Sequence, residues 1–227
     1  MTAEPATGQG MRTIDRALSL LSLVCTAGEI SLAEVARGAD LSPSTALRLL
    51  RALEAREFVR RGADGLFTAG PHLVQLGAAA LSNDSLITLA RPAMQRVAAI
   101  TTESCYLSVF GAGHTAMHLA IVEGTQSVRH VGWAGRSIPL DGTAVGRVLL
   151  GEAGLDGYVV VAEGAEKDVT AVSAPIRVAS RVAGALSCLV PSYRVVDPRD
   201  LVRIGDCLVA EAETVLAGRI AAAGATR

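Results

Sequence analysis

Residues 31–58, SLAEVARGADLSPSTALRLLRALEAREF, constrain the chain more than any other stretch, because they spell two short helices with a tight turn between them. Ser31 and Glu34 have the spacing of a capping box: the hydroxyl accepts from the third helical amide and the carboxylate reaches back to the amide of Ser31. Leu32, Val35 and Ala36 follow at helical spacing, and Gly38 offers the positive φ at which helices end cheaply. A second start comes at once. Ser42 is an N-cap, and Pro43 takes the first helical position, where a missing N–H costs nothing.

In the second helix Ala46, Leu49, Leu50 and Leu53 make one apolar stripe, while Ser44, Thr45, Arg48 and Arg51 lie off it. Small donors at a helix N-terminus, with Arg one turn on, suit a helix that enters the major groove, reads base edges and holds phosphates. Taken alone, the segment fits an ordinary solvated helix pair equally well. Residues 58–67, FVRRGADGLF, shift that balance: they alternate and turn over 62–65, which predicts a two-stranded wing with Arg60 and Arg61 on nucleic-acid backbone. With Arg12 at the expected start of ordered structure, the candidate DNA-contacting set is Arg12, Ser42, Pro43, Ser44, Thr45, Arg48, Arg51, Arg60 and Arg61.

At 227 residues, half of them hydrophobic, the chain has room for one small and one medium domain. A formal charge of -1 excludes a basic field over the whole surface, so nucleic-acid binding has to rest on local arginines. Residues 41–61 carry five arginines against two glutamates, and Lys167 is the only lysine in the chain. Cys25, Cys105, Cys188 and Cys207 are scattered, without C-x-x-C or a zinc pattern, and are expected as buried, reduced thiols. His114 and His118 sit in a strand-like segment, where i and i+4 stand about 13 Å apart at roughly 3.3 Å per residue, so one metal ion cannot join them. Apolar runs at 65–83 and 104–122 are broken by Gly, His and other polar residues and are not read as membrane spans. The first ten residues lack a basic start and an apolar core and read as a disordered tail, not a signal peptide. The expectation is a cytoplasmic protein without metal, cofactor or membrane partner.

Along the chain, Thr13 is expected to cap a first helix whose inward face is Ile14, Ala17, Leu18, Leu21 and Val24, ending at Gly28. Residues 71–81 form an apolar helix, read as a linker that pairs with its copy in a second subunit. Pro92 opens another helix. Strands follow at 105–110, 115–122, 127–131, 158–162, 169–176 and 182–189, interrupted by a short helix at 143–150 and closed by a long one over 198–222. The fold class is α+β, an N-terminal winged helix-turn-helix and a C-terminal antiparallel-sheet domain. Expected boundaries are 1–10 tail, 11–70 winged helix-turn-helix, 71–90 linker and 91–227 effector and oligomerisation domain.

The first-helix RAL, the winged helix-turn-helix, RP followed by TTES before the first strand, IPLDGTAVGRVLL at 138–150, SAPI at 173–176 and ALS at 185–187 are similar to the IclR family of bacterial transcriptional regulators. The resemblance implies a GAF-like sheet domain and a homodimer or tetramer on double-stranded DNA carrying a near-palindromic operator, acting as a repressor that a small organic effector modulates. Carried over by position, the family's pocket residues fall on Ala144, Val145, Val169, Ala171, Ser187 and Leu189; the candidate effector-binding set adds Ile138, with His130 and Trp133 flanking it. The walls are apolar with few polar groups, as in most small-molecule sites. Two departures stand out: only residues 151–156 separate the TAVGRVLL segment from the next strand, and Val161, Ala171 and Leu189 stand where some members have polar residues that hold a carboxylate-bearing effector. Two alternatives stay open, a DNA-binding dimer with no effector and a thiol enzyme pairing Cys105 or Cys188 with His114, His118 or His130. No catalytic motif is present, and no enzyme is expected.

Overall fold

A computed structural model of the chain describes residues 7–82, 85–130, 135–178 and 181–224. Contacts divide it into two units, Met1–Asn83 and Asp84–Arg227, each with its own core. The division falls inside the expected linker.

The first unit contains α1 (Thr7–Ala27), α2 (Leu32–Gly38), α3 (Pro43–Glu54), β1 (Val59–Arg61), β2 (Phe67–Ala69) and α4 (Pro71–Ser82). The capping box forms as the spacing predicts. Glu34 N donates to the Ser31 hydroxyl at 3.3 Å, and Ser31 N donates to the Glu34 carboxylate at 3.0 Å. Hydrogen bonds from Ser31 hold the Glu34 carboxyl below its ordinary range. The core gathers Leu20 and Val24 of α1, Val35 of α2, Leu49 and Leu50 of α3, and Val59 and Phe67 of the wing. Val59 lies opposite Ala69, and Arg61 lies opposite Phe67. Gly65, at φ +85, supplies the left-handed residue of the wing turn.

Two expectations for α1 need correction. The helix begins at Thr7, so residues 7–10 of the expected tail are helical and Thr13 sits within the helix instead of capping it. Ile14 and Leu18 are 61% and 56% exposed, because Leu20 and Val24 take the inward positions. A helix with apolar residues on most of its circumference leaves periodicity no single face to choose.

The second unit contains α5 (Ser85–Thr101), β3 (Cys105–Phe110), β4 (Thr115–Val122), β5 (Ser137–Pro139), α6 (Ala144–Leu149), β6 (Val159–Ala162), β7 (Val169–Val178), β8 (Arg181–Pro191), a 3-10 turn at Ser192–Arg194 and α7 (Pro198–Gly224). The strands form one antiparallel sheet in the order β5-β4-β3-β8-β7-β6. Alternation along the strands gives the sheet two apolar faces. Leu186, Cys188 and Val190 of β8 pack with Val97 of α5 and Leu208 of α7. Ala185 packs on the other face with Ala144, Val145 and Val148 of α6.

Pro92 is inside α5, not at its start. Residues 127–130 of the expected 127–131 strand are not in strand conformation, and Val131 lies outside the described residues. The partner of β4 is instead β5, with Ala116 opposite Ile138. The TTES segment explains the departure: Ser104 accepts from Gly124 N at 3.1 Å, Thr102 O accepts from Thr125 N at 3.0 Å, and Gln126 donates to the Thr102 hydroxyl at 2.7 Å. Arg194 pairs with buried Glu103 at 3.2 Å and donates to Val128 O at 2.6 Å. Side chains and a neighbouring turn thus hold residues 124–128, and the strand ladder does not.

Candidate nucleic-acid interface and ligand cavity

The N-terminus of α3 is set by Ser42, whose hydroxyl accepts from Thr45 N at 3.3 Å and lies 2.9 Å from the Thr45 hydroxyl and 3.2 Å from that of Ser44. Ser42 is therefore a structural cap. Pro43, Ser44, Arg48 and Arg51 are exposed, Thr45 is half-buried, and Ala46, Leu49 and Leu50 are buried beneath them. Arg12 is exposed on α1. In the wing, Arg60 donates to the Thr68 hydroxyl at 3.0 Å, while Arg61 donates to Gly65 O at 3.3 Å and lies over the Phe67 ring. Both wing guanidiniums stay exposed, so these contacts orient them without burying their charge.

In the second unit a cavity of about 30 Å³ lies between α6 and the sheet, room on the order of two water molecules. Its walls include all six residues carried over by position, Ala144, Val145, Val169, Ala171, Ser187 and Leu189, and Ile138 with them. His130 is not in the wall; its Nε2 holds the Glu166 carboxylate, which is, at 2.8 Å. Trp133 lies outside the described residues.

Sequence reasoning missed His118, Thr143, Ser173 and the turn containing Gly164, Ala165 and Glu166. Ser173 was within reach of it: two residues past Ala171 on one strand, it shares that face and stands opposite Ser187, and the two hydroxyls meet at 2.8 Å. His118 had no such signal. The register of β3 and β4 shifts between Leu107 and Ser108, so Leu107 pairs with Ala120 but Ser108 pairs with His118. This bulge puts Ala120 in the core against the long helices and His118 in the cavity wall. His118 Nδ1 lies 2.8 Å from the Ser108 hydroxyl. Burial, then the neighbouring His130 and Arg136, push its imidazole down to about 4. Tyr106, within 5.0 Å of the His118 ring centroid, meets His130 Nδ1 through its hydroxyl at 2.5 Å. Its phenol is pushed up by burial and by Glu123 and Glu166.

Thr143 caps α6, its hydroxyl accepting from Gly146 N at 3.1 Å and donating to the carbonyls of Pro139 and Leu140. A Cβ on Gly146 would collide with the Leu140 backbone. The glycine run thus serves helix packing.

Cys105 and Cys188 are cross-strand partners on the sheet face opposite His118. Burial, reinforced by Cys188, pushes the Cys105 thiol well up, which disfavours the thiolate that a nucleophile needs. His114 is exposed beside Asp141. Cys25 is exposed and Cys207 half-buried, against the expectation that all four thiols are buried. Among the described residues no group of three or more His, Cys, Asp or Glu is arranged to hold a metal, and no helix is long and apolar enough to cross a membrane.

A winged helix-turn-helix unit followed by a unit built on a six-stranded antiparallel sheet with helices on both faces is the architecture of a class of two-domain regulators, and sequence comparison agrees. The model of the IclR helix-turn-helix domain matches residues 13–63, and that of the bacterial transcriptional regulator IclR C-terminal domain matches residues 78–154. The chain belongs to the IclR family of bacterial transcriptional regulators. It is 29% identical over 145 residues to the HTH-type transcriptional regulator BhcR of Paracoccus denitrificans, covering 63% of this chain and 52% of that protein. It is 28% identical over 150 residues to the HTH-type transcriptional repressor AllR of Escherichia coli, covering 65% and 55%. The chain thus spans about half the length of the curated relatives it matches. Its fold is that of an IclR regulator from Alicyclobacillus acidocaldarius (TM-score 0.77, 23% identity, 91% and 98% of the two chains). It is also that of an IclR homologue from Microbacterium hydrocarbonoxydans crystallised with 4-hydroxybenzoate (TM-score 0.72, 22% identity, 90% and 98%).

Proposed function

We propose that this chain is a sequence-specific repressor, binding a near-palindromic operator as a homodimer or tetramer, whose operator affinity changes when a small organic molecule enters the cavity between α6 and the sheet. The observation that carries this reading is the pairing, in one chain, of an exposed Ser44-Arg48-Arg51 face on α3 with a cavity that collects all six carried-over positions. Repressors among the relatives favour the sign of regulation, and the neighbour holding 4-hydroxybenzoate favours an aromatic-sized effector. Such a ligand is larger than the cavity of about 30 Å³. It binds by selecting a more open arrangement, and a coupling of about 1–3 kcal/mol to operator binding follows from the difference in its affinity for the two states. The small cavity also favours a second reading, a DNA-binding dimer whose sensor domain takes no ligand.

Selection of bound sequences from random duplex DNA at near-physiological salt tests the proposal. An enriched inverted repeat is expected, with half-sites one or more helical turns apart. Absence of enrichment, both alone and with small aromatic compounds added, would remove the regulator reading.

A further inference from the structure

Resting on the reading of the cavity as an effector site, we propose that it takes a small apolar molecule bearing a hydroxyl or amino donor, and not a carboxylate. The wall is built for such a body. Ile138, Val145, Val169, Ala171 and Leu189 supply apolar surface, and the polar groups between them are hydroxyls, an imidazole and a carboxylate.

Glu166 is the charged side chain of the wall among the described residues. His130 steers one side of its carboxylate at 2.8 Å, and a carboxylate's two oxygens have acceptor capacity for more than one donor. A ligand O–H or N–H therefore finds an acceptor there, and an anion finds repulsion that solvent at the exposed rim screens in part. At the sheet, Ser173 and Ser187 share one hydrogen bond. Two hydroxyls carry two protons, so this pair keeps one to donate and lone pairs to accept. His118, pushed down to about 4 by burial, is neutral at physiological pH and adds no positive charge. Arg136, whose carbonyl accepts from His118 N at 3.0 Å, is exposed and does not line the cavity. Residues 131–134, VGWA, carry no charge by composition.

Size is set by the turn at 163–168. Glu163 and Asp168 bracket it at φ +53 and +60, a backbone region non-glycine residues enter at some cost. A Cβ on Gly164 would stand 2.7 Å from Gly142 O, so the turn sits close upon the start of α6 at its inner end, while Ala165 and Glu166 are exposed.

Benzylamine, benzyl alcohol and benzoate share one ring and differ in charge, so calorimetric titration of the full chain with each isolates the chemistry at the rim. The amine and the alcohol are expected to bind at least about tenfold more tightly than benzoate, and Glu166→Gln is expected to narrow the gap between amine and benzoate by about tenfold. An unchanged unfolding midpoint for Glu166→Gln confirms that the exposed substitution leaves the fold intact. Benzoate binding as tightly as the alcohol, or a ranking that Glu166→Gln leaves untouched, overturns the ligand class while leaving the effector reading standing. No heat from any of the three at millimolar concentration overturns both.

Discussion

Single side chains divide between those that shape the interface and those that read it. Ser42 spends its hydroxyl on the cap of α3, so Ser42→Ala is expected to cost about 0.5–2 kcal/mol in urea unfolding while leaving base preference unchanged. Arg48 is exposed one turn further on. Arg48→Ala should lose roughly 1–3 kcal/mol and relax preference at one base pair, whereas Arg61→Ala should weaken all sequences alike and lower the salt slope by about one. Anisotropy titrations across salt separate the two, and equal behaviour of both variants would contradict the docking. The cavity wall has its own signature. His118 titrates at about 4 in the fold and near 6.5 when unfolded, so the unfolded chain takes up the proton first. Stability from the neutral ring is complete above about 6.5 and is lost as pH falls toward 4, on the order of 3 kcal/mol in all. The unfolding free energy of wild type minus that of His118→Gln should therefore shrink across that window; a pH-independent difference would rule this out.

At the scale of elements, α6 is held by a cap and by contact too close for a side chain. Gly146→Ala should push the helix from Leu140, at a cost of about 1–3 kcal/mol visible in thermal unfolding, and should alter ligand affinity with it. Much of this architecture was legible in the residues. The capping box, Pro43 and the wing turn are local chemistry, and β3 and β4 are apolar runs whose facing ends are marked by the Gly111-Ala112-Gly113 turn between them, so both are bounded to the residue. What failed to read was decided at a distance. Residues 127–130 have strand-like composition, but the TTES segment and Arg194 claim the stretch just before and into them. Residues 137–139 are too few to show a period, and their pairing with β4 makes them a strand. Pro92 marked a helix start because a proline is most comfortable in a first turn, yet packing of Ile87 and Ala90 in the core carries α5 a further turn and more upstream. His118 entered the cavity wall through a register shift that no alternation reveals.

For the whole molecule, the proposed homodimer or tetramer needs an apolar surface to bury. Val74 and Leu76 of α4 are 64% and 46% exposed, and a second copy of the chain would cover them. Sedimentation is expected to find a dimer or tetramer at micromolar concentration, and Val74→Glu to shift it toward monomer; monomer alone in the wild type would remove the assembly and, with it, the paired half-sites. The bulge in β4 has a reach beyond its own strand. Because Leu119 is the surplus residue that lets Ala120 and His118, two apart, face opposite sides, loss of its codon would leave those two adjacent in a regular ladder, Ala120 still in the core and His118 still in the cavity wall. The gene can then be shortened by three nucleotides at this one position with the pocket's side chains kept, whereas the same loss two codons earlier or later has no surplus residue to absorb it.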